Sequence, residues 1–434
     1  MTFFGSLGTA VMGMNAQAAA IGHISDNVAN ASTNGYRQVS TYFSDLVTNK
    51  LTGDSPVIDS NKNMGQLALA DFNNRKNGQI IHDDSLTSVA VNGAGFIPVE
   101  RATGINATDG TPSGFDSQIY YTRLGDFHMD NSNRMVNSAG YYLMATSVGG
   151  TTPADFVVDT ADIAAVPTST VNYVINLPSS ALTGRTISNG IGVIDANGTE
   201  QQFQVQWQKT GTDTWNMTVN TPDGTPASFG PVTVTFSNGT LSTMTSADAN
   251  ISVTSAGNAV ATFSTDFGSG AQAFTLNLGT FGGTFSSSNT SGLTQYATND
   301  ANESNVGITQ NGLKNGAFQN VSISEDGEII YNYSNGRTAV GGQILLANFP
   351  EPDRLNRVDG TAFTETSVSG DVSYGVPGGS NGVGLLVSSA VEQSNVDVAE
   401  QMTKLIVAQQ AYSLNGQVIT ASDEMLSRLV DMKR

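Results

Sequence analysis

Both ends of the chain carry apolar residues at helical spacing, and nothing between them does. In residues 3–28 the apolar positions are Phe4, Leu7, Val11, Met14, Ala18, Ile21, Ile24 and Val28, stepping by three and four. In residues 397–432 they are Val398, Met402, Leu405, Ala408, Tyr412, Ile419, Leu426 and Leu429, with Asn415 and Ser422 filling the skipped steps. Such spacing gives a helix one seam to lay against a partner helix. Seams at opposite ends of one chain can pair with each other and then with copies of themselves, so 1–30 and 395–434 are predicted to form a coiled coil on assembly. Two ordinary helices closing a globular core are the plainer alternative. Gly5, Gly8, Gly13 and Gly22 interrupt the first stripe, each costing about 1 kcal/mol relative to alanine. A helix that poor orders only when packed. The last stripe holds one glycine, Gly416, and ends in Lys433-Arg434, whose charge suits a helix C-terminus.

The body between the stripes is polar but weakly charged. Charged residues make up 13% of the chain, about half the usual quarter; with abundant Thr, Ser, Asn and Gly, this suits a β-rich body with a hydroxyl and amide surface. A net charge of −19 argues against nucleic acid or an anionic membrane as partner. The chain has no cysteine, hence neither disulfides nor thiolate metal sites. Met1 to Ile24 lacks a basic region and a cleavage site, so it does not read as a secretory signal, and no run approaches a membrane span.

Along the chain, 31–75 reads as an extended linker with turn signals Thr33-Asn34-Gly35 and Gly53-Asp54-Ser55-Pro56. Short apolar runs between Gly, Asn and Asp turns follow, such as Leu86 to Val91 and Tyr141 to Met144, which predict antiparallel strands. The stretch 151–300 has Arg185 and Lys209 as its basic residues and alternating runs such as Phe203-Gln204-Val205-Gln206-Trp207. After 301 the short strands and turns of 76–150 resume. The expectation is a mainly β, multidomain chain: a middle β domain (76–150 plus 301–394), an outer β domain inserted into it (151–300), and the terminal helices.

Specific phrases then carry a resemblance. Asn27-Val28-Ala29-Asn30 followed by Thr33-Asn34-Gly35-Tyr36-Arg37 resembles the N-terminal signature of the bacterial flagellar rod and hook family. Ser394-Asn395-Val396-Asp397-Val398-Ala399-Glu400-Gln401-Met402 resembles its C-terminal counterpart. Val91 to Phe96, Leu124 to Phe127, Val136 to Tyr141 and Tyr333 to Arg337 match internal phrases, in the family's order. The resemblance covers about 1–150 and 301–434 and fades across 151–300. Ala31-Ser32 and Ile97-Pro98 depart from the pattern. Within the family the likeness is greatest to its hook branch, whose subunits have terminal helices lining an inner tube, a β domain around it and an outer β domain inserted into that. The resemblance implies a structural subunit polymerising into a flexible helical tube that works as a universal joint between rod and filament. It further implies the distal rod, the hook cap, the hook–filament junction proteins and the flagellar export apparatus as partners, and an extracellular appendage reached without a cleaved signal.

No catalytic, metal or cofactor site is expected. Gly378-Gly379-Ser380-Asn381-Gly382 formally matches a nucleophile elbow but lies in a glycine loop without the strand before it or the helix after it. His23, His82 and His128 are unpaired in sequence, and Asp130 to Asn133 and Asp195 to Gly198 read as hairpin turns, not calcium loops. The alternatives are a distal rod subunit, which would form a rigid tube, and more remotely a secreted β-rich adhesin or polysaccharide enzyme.

Overall fold

The computed structural model describes residues 3–47, 63–106, 110–282, 292–298, 304–359, 361–379 and 381–432. It is mainly β, with helix α1 (Phe3–Ala29) at one end of the chain and α2 (Val398–Met432) at the other. Asp397 caps α2: its carboxylate accepts from the backbone N–H of Ala399 (2.9 Å) and Glu400 (3.2 Å), satisfying donors that have no partner within the helix. Of the glycines in α1, Gly8 and Gly22 face open space, whereas a Cβ on Gly13 would lie 2.9 Å from the Asn415 side-chain nitrogen. A side chain at 13 would therefore have to displace the Asn415 amide.

The chain forms two compact units. The first comprises Met1–Thr160, Asn320–Asn332 and Thr338–Arg434; the second comprises Ala161–Gln319 and Tyr333–Arg337. In the first unit, β1 (Val39–Val47) pairs antiparallel with β2 (Asn63–Phe72), Tyr42 opposite Leu69. This hairpin lies within 31–75, where turn residues dominate the sequence and obscure the period-two pattern of Val39, Thr41 and Phe43. Ile80–His82 pairs with Ala390–Glu392, and Val89–Asn92 with Leu385–Ser388, so the segment leading into α2 is stitched to the one that follows the hairpin. The main sheet of this unit runs in the order Asn356–Asp359, Ala362–Thr364, Tyr120–Thr122, Ile97–Ile105, Tyr141–Ala145, Met135–Val136, His128–Met129. Its aromatic core joins Phe96, Tyr121, Phe349 and Phe363, with Tyr121 edge-on to Phe349 at 4.8 Å.

The second unit is one large sheet wrapped around its own core. Thr186–Ile194, Glu200–Gly211, Thr214–Asn220, Ser228–Ser237 and Thr240–Ser246 form an antiparallel meander; beyond it Leu293–Thr294 and Ala271–Thr280 run parallel to Thr170–Asn176 between them, and Asn258–Asp266 and Ile251–Val253 follow antiparallel. The alternation legible at 203–207 is real: Phe203, Val205 and Trp207 are buried, and the glutamines between them point outward. Trp207 and Trp215 are fully enclosed, and the indole of Trp207 donates to the hydroxyl of Tyr173 (3.1 Å).

Candidate assembly surface

The residues of both sequence signatures meet where the helices enter the β body. Asn27, in the last turn of α1, is 1% exposed. Its amide nitrogen donates to the Val39 carbonyl (2.7 Å) and the Gln401 side chain (3.2 Å), while its oxygen accepts from the Val39 N–H (2.9 Å) and the Tyr36 hydroxyl (3.2 Å). One side chain thereby ties α1 to β1 and to α2, and an amide, being donor and acceptor at once, is what the position requires. Asn395 does the same on the other side, accepting from the Gln38 N–H and donating to the Lys76 carbonyl, both at 2.7 Å. Gly35 has φ +71°, and a Cβ there would sit 2.8 Å from the Leu124 nitrogen; its own N–H donates to the Glu392 carbonyl at 2.7 Å. Thr33 donates to Asn30 (3.2 Å), which donates to the Asp26 carbonyl (2.9 Å), shaping the turn out of α1. The Ser394 hydroxyl accepts from the N–H of half-buried Val396 at 3.4 Å.

Beneath this junction lies an ion cluster that sequence reading missed in part. Glu392, 1% exposed, meets Arg37 at 2.7 Å and Arg123 at 3.2 Å, and its carboxylate also accepts from the Gly78 N–H at 2.7 Å. Arg123 donates further to the carbonyls of Val91 (3.1 Å) and Gly93 (2.7 Å). Burial pulls the Arg123 guanidinium down to about 10, its neighbour Arg37 adding to the effect and Glu392 opposing it. Arg37 is lowered by burial and likewise held up by Glu392. Arg357 covers the ring of Tyr36 at 4.6 Å, closing the junction from above. Arg37 stood within the recognised signature; Glu392 and Arg123 lie just outside recognised phrases, two residues before Ser394 and one before Leu124, and Arg357 is remote from all of them.

The helices themselves pack on their small residues. Ala10, Ala16 and Ala20 are buried on α1 along with Ile24; on α2 the buried positions are Gln401, Ala408 and Ser422, with Asn415 half-buried, each seven residues from the last. The large apolar residues expected in the seam are divided, most of them buried or half-buried and the rest exposed. Ile24 is buried, Leu7, Met14, Ile21 and Val28 are half-buried, and Val11 and Ala18 are exposed. On α2, Ala408 is buried, Leu405 and Ile419 are half-buried, and Val398, Met402, Tyr412 and Leu426 are exposed. The side chains of Phe4 and Leu429 lie outside the described residues. A further stripe on α2 went unread: Val407, Leu414, Val418 and Met425 are 45–60% exposed and, with Ala411 and Ala421, step by four and three. It borders a groove of about 400 Å³ between α1, β1 and α2, lined by Ala20, Ile24, Phe43, Val407 and Ala411. The outer face of the hairpin is apolar as well, with Tyr42 61%, Leu69 46% and Leu67 45% exposed. Among the described residues no group of His, Asp or Glu is placed to hold a metal, and no helix is long and apolar enough to cross a membrane.

Family models match residues 7–37 (flagella basal body rod protein), 90–194 (flagellar hook protein FlgE/F/G D1 domain), 160–313 (flagellar basal body protein FlaE D2 domain) and 387–432 (flagellar basal body rod FlgEFG protein C-terminal). The flagellar hook protein FlgE of Brucella abortus is 32% identical over 448 residues, covering all of both chains. The flagellar hook protein FlgE of Escherichia coli is 28% identical, covering 98% of this chain and 99% of its own. Among solved structures, Helicobacter pylori flagellar hook protein FlgE2 superposes at a TM-score of 0.43 with 12% identity, covering 72% of this chain and 100% of its own. With full-length identity to hook proteins and matching models from its first helix to its last, the chain belongs to the flagellar hook protein FlgE family.

Proposed function

We propose that the chain is the repeating subunit of the flagellar hook, polymerising into a flexible helical tube that carries motor torque from the rod to the filament. One observation carries the reading: large apolar residues of the terminal helices, Val407, Leu414, Val418 and Met425 on α2 above all, are left exposed. A helix pair built to end there would bury those residues, since apolar surface gains about 25 cal/mol per Å² on burial. Neighbouring copies would cover them, making the inner tube. The 76–150 and 301–394 stretches would surround that tube, and 151–300 would lie outermost. The rod, the cap, the junction proteins and the export apparatus follow as partners, and the hook, outside the cell, as location.

Electron microscopy of the concentrated full-length chain, beside a variant lacking 1–30, tests this. Curved tubes from the intact chain alone are expected. Straight tubes would make it a rod subunit, and no tubes at all would overturn the reading.

A further inference from the structure

The two terminal helices meet at matched heights. Near the β body, the Asn27 amide of α1 donates to the Gln401 side chain of α2 at 3.2 Å, and both residues are 1% exposed. Farther out, a Cβ on Gly13 would lie 2.9 Å from Nδ2 of Asn415 and 3.2 Å from both its Cγ and its Oδ1. The Asn415 amide therefore lies flat over the glycine. Gly13 to Asn27 on α1 and Gln401 to Asn415 on α2 are the same two heptads in length, about 21 Å of helix, so the helices run antiparallel with their contacts in step. Midway between the two pairs, Ala20 and Ala408 are both buried and line the same groove. Gly8 and Gly22 meet only open space, so the notch belongs to position 13.

A seven-residue repeat holds one stripe of each helix against the other, but a uniform repeat would fit as well one heptad along. The layers here are not uniform. Sliding α2 one heptad one way sets Asn415 on the Ala20 methyl and Ala408 against Asn27. Sliding it the other way sets Gln401 on Ala20 and leaves a gap between Ala408 and Gly13. Either slip parts Asn27 from Gln401, and a buried amide left unpaired costs more than a made hydrogen bond gains. Overpacking and cavities add to that cost. One register satisfies all three layers.

We propose that Gly13 and Asn415 act as notch and key and, with the Asn27–Gln401 pair, specify a single antiparallel register between α1 and α2. They are specificity-determining residues for assembly, because the register fixes the height at which α2 presents Val407, Leu414, Val418 and Met425, so that every copy offers the same surface. That use rests on the polymer reading above; the register is a property of one chain.

The chain has no cysteine, so Ala20→Cys with Ala408→Cys introduces its only thiols and reports the register. The full-length chain is oxidised with glutathione disulfide, and the intrachain product is separated from dimers on non-reducing gels. Among the described residues α1 and α2 are the only α-helices, so the circular dichroism signal at 222 nm reports on them, and the yield is read in whichever solution, dilute or concentrated, shows them formed. Gly13→Leu should lower the yield several-fold, and adding Asn415→Ala should restore it. Gly8→Leu, on the open side of the same helix, should leave it unchanged, which separates the notch from helix propensity. If Gly13→Leu loses its helical signal, Gly13→Ala replaces it, with a smaller loss in the same sense. A yield indifferent to both position-13 variants overturns the inference. So does a loss that Asn415→Ala fails to restore, or a parent chain that closes no disulfide. Each of these leaves the polymer reading standing, whereas a wild-type chain that forms no tubes removes that reading and leaves the register result intact.

Discussion

Glu392 is the residue on which the junction depends. It offsets two buried guanidiniums, Arg37 and Arg123, which belong to segments separated from it by hundreds of residues. Removing one partner of a buried ion cluster leaves uncompensated charge, at a cost of about 3–5 kcal/mol. Glu392→Gln keeps the shape and removes the charge. Scanning calorimetry should therefore show the transition of the first unit falling by several degrees while that of the second unit stays in place; two unshifted transitions would mean the charge is not needed. Some of this site was legible in sequence. Asn27, Gly35 and Asn395 stood in recognisable phrases, and each has a local reason: an amide that must donate and accept, or a positive φ beside a close backbone. Glu392 and Arg123 had no such signal, because what defines them is proximity in space.

At the scale of the helix, size decides which face goes where. The positions the helices bury include Ala10, Ala16, Ala20 and Ala408, which a search for large apolar residues passes over. Large residues left outside, Val407, Leu414, Val418 and Met425, form an outward stripe on α2. Replacing Val407 and Val418 on α2 with serine should leave monomer helicity unchanged, because both are exposed in the monomer. It should raise the critical concentration for assembly at least tenfold, since each valine forfeits about 1.5 kcal/mol or more of burial in the polymer. Sedimentation at a series of concentrations measures this, and wild-type assembly by the double variant would show that this stripe faces solvent in the tube. Periodicity announced both helices correctly. It did not say which of their faces would be inside, because small residues give no strong hydropathy signal.

For the whole molecule, charge and composition set the behaviour. Copies of net charge −19 repel over a range that salt shortens, from about 14 Å at 0.05 M to about 4 Å at 0.5 M. Polymerisation followed by light scattering should accordingly strengthen across that interval. Weakening would mean that ion pairs between subunits outweigh the general repulsion. The amino-acid sequence alone determined the kinds of element and their order: helices at the two ends, strands between, and a neutral polar body. Those properties follow from local periodicity and residue chemistry, which need no partner to be read. The tertiary structure alone decided that β1 and β2 close the stretch after α1, that Ala10, Ala16, Ala20 and Ala408 are buried while Val407, Leu414, Val418 and Met425 stay exposed, and that Glu392 gathers two distant arginines. Each of these is a choice among faces or among remote segments, and such choices are settled by packing in three dimensions.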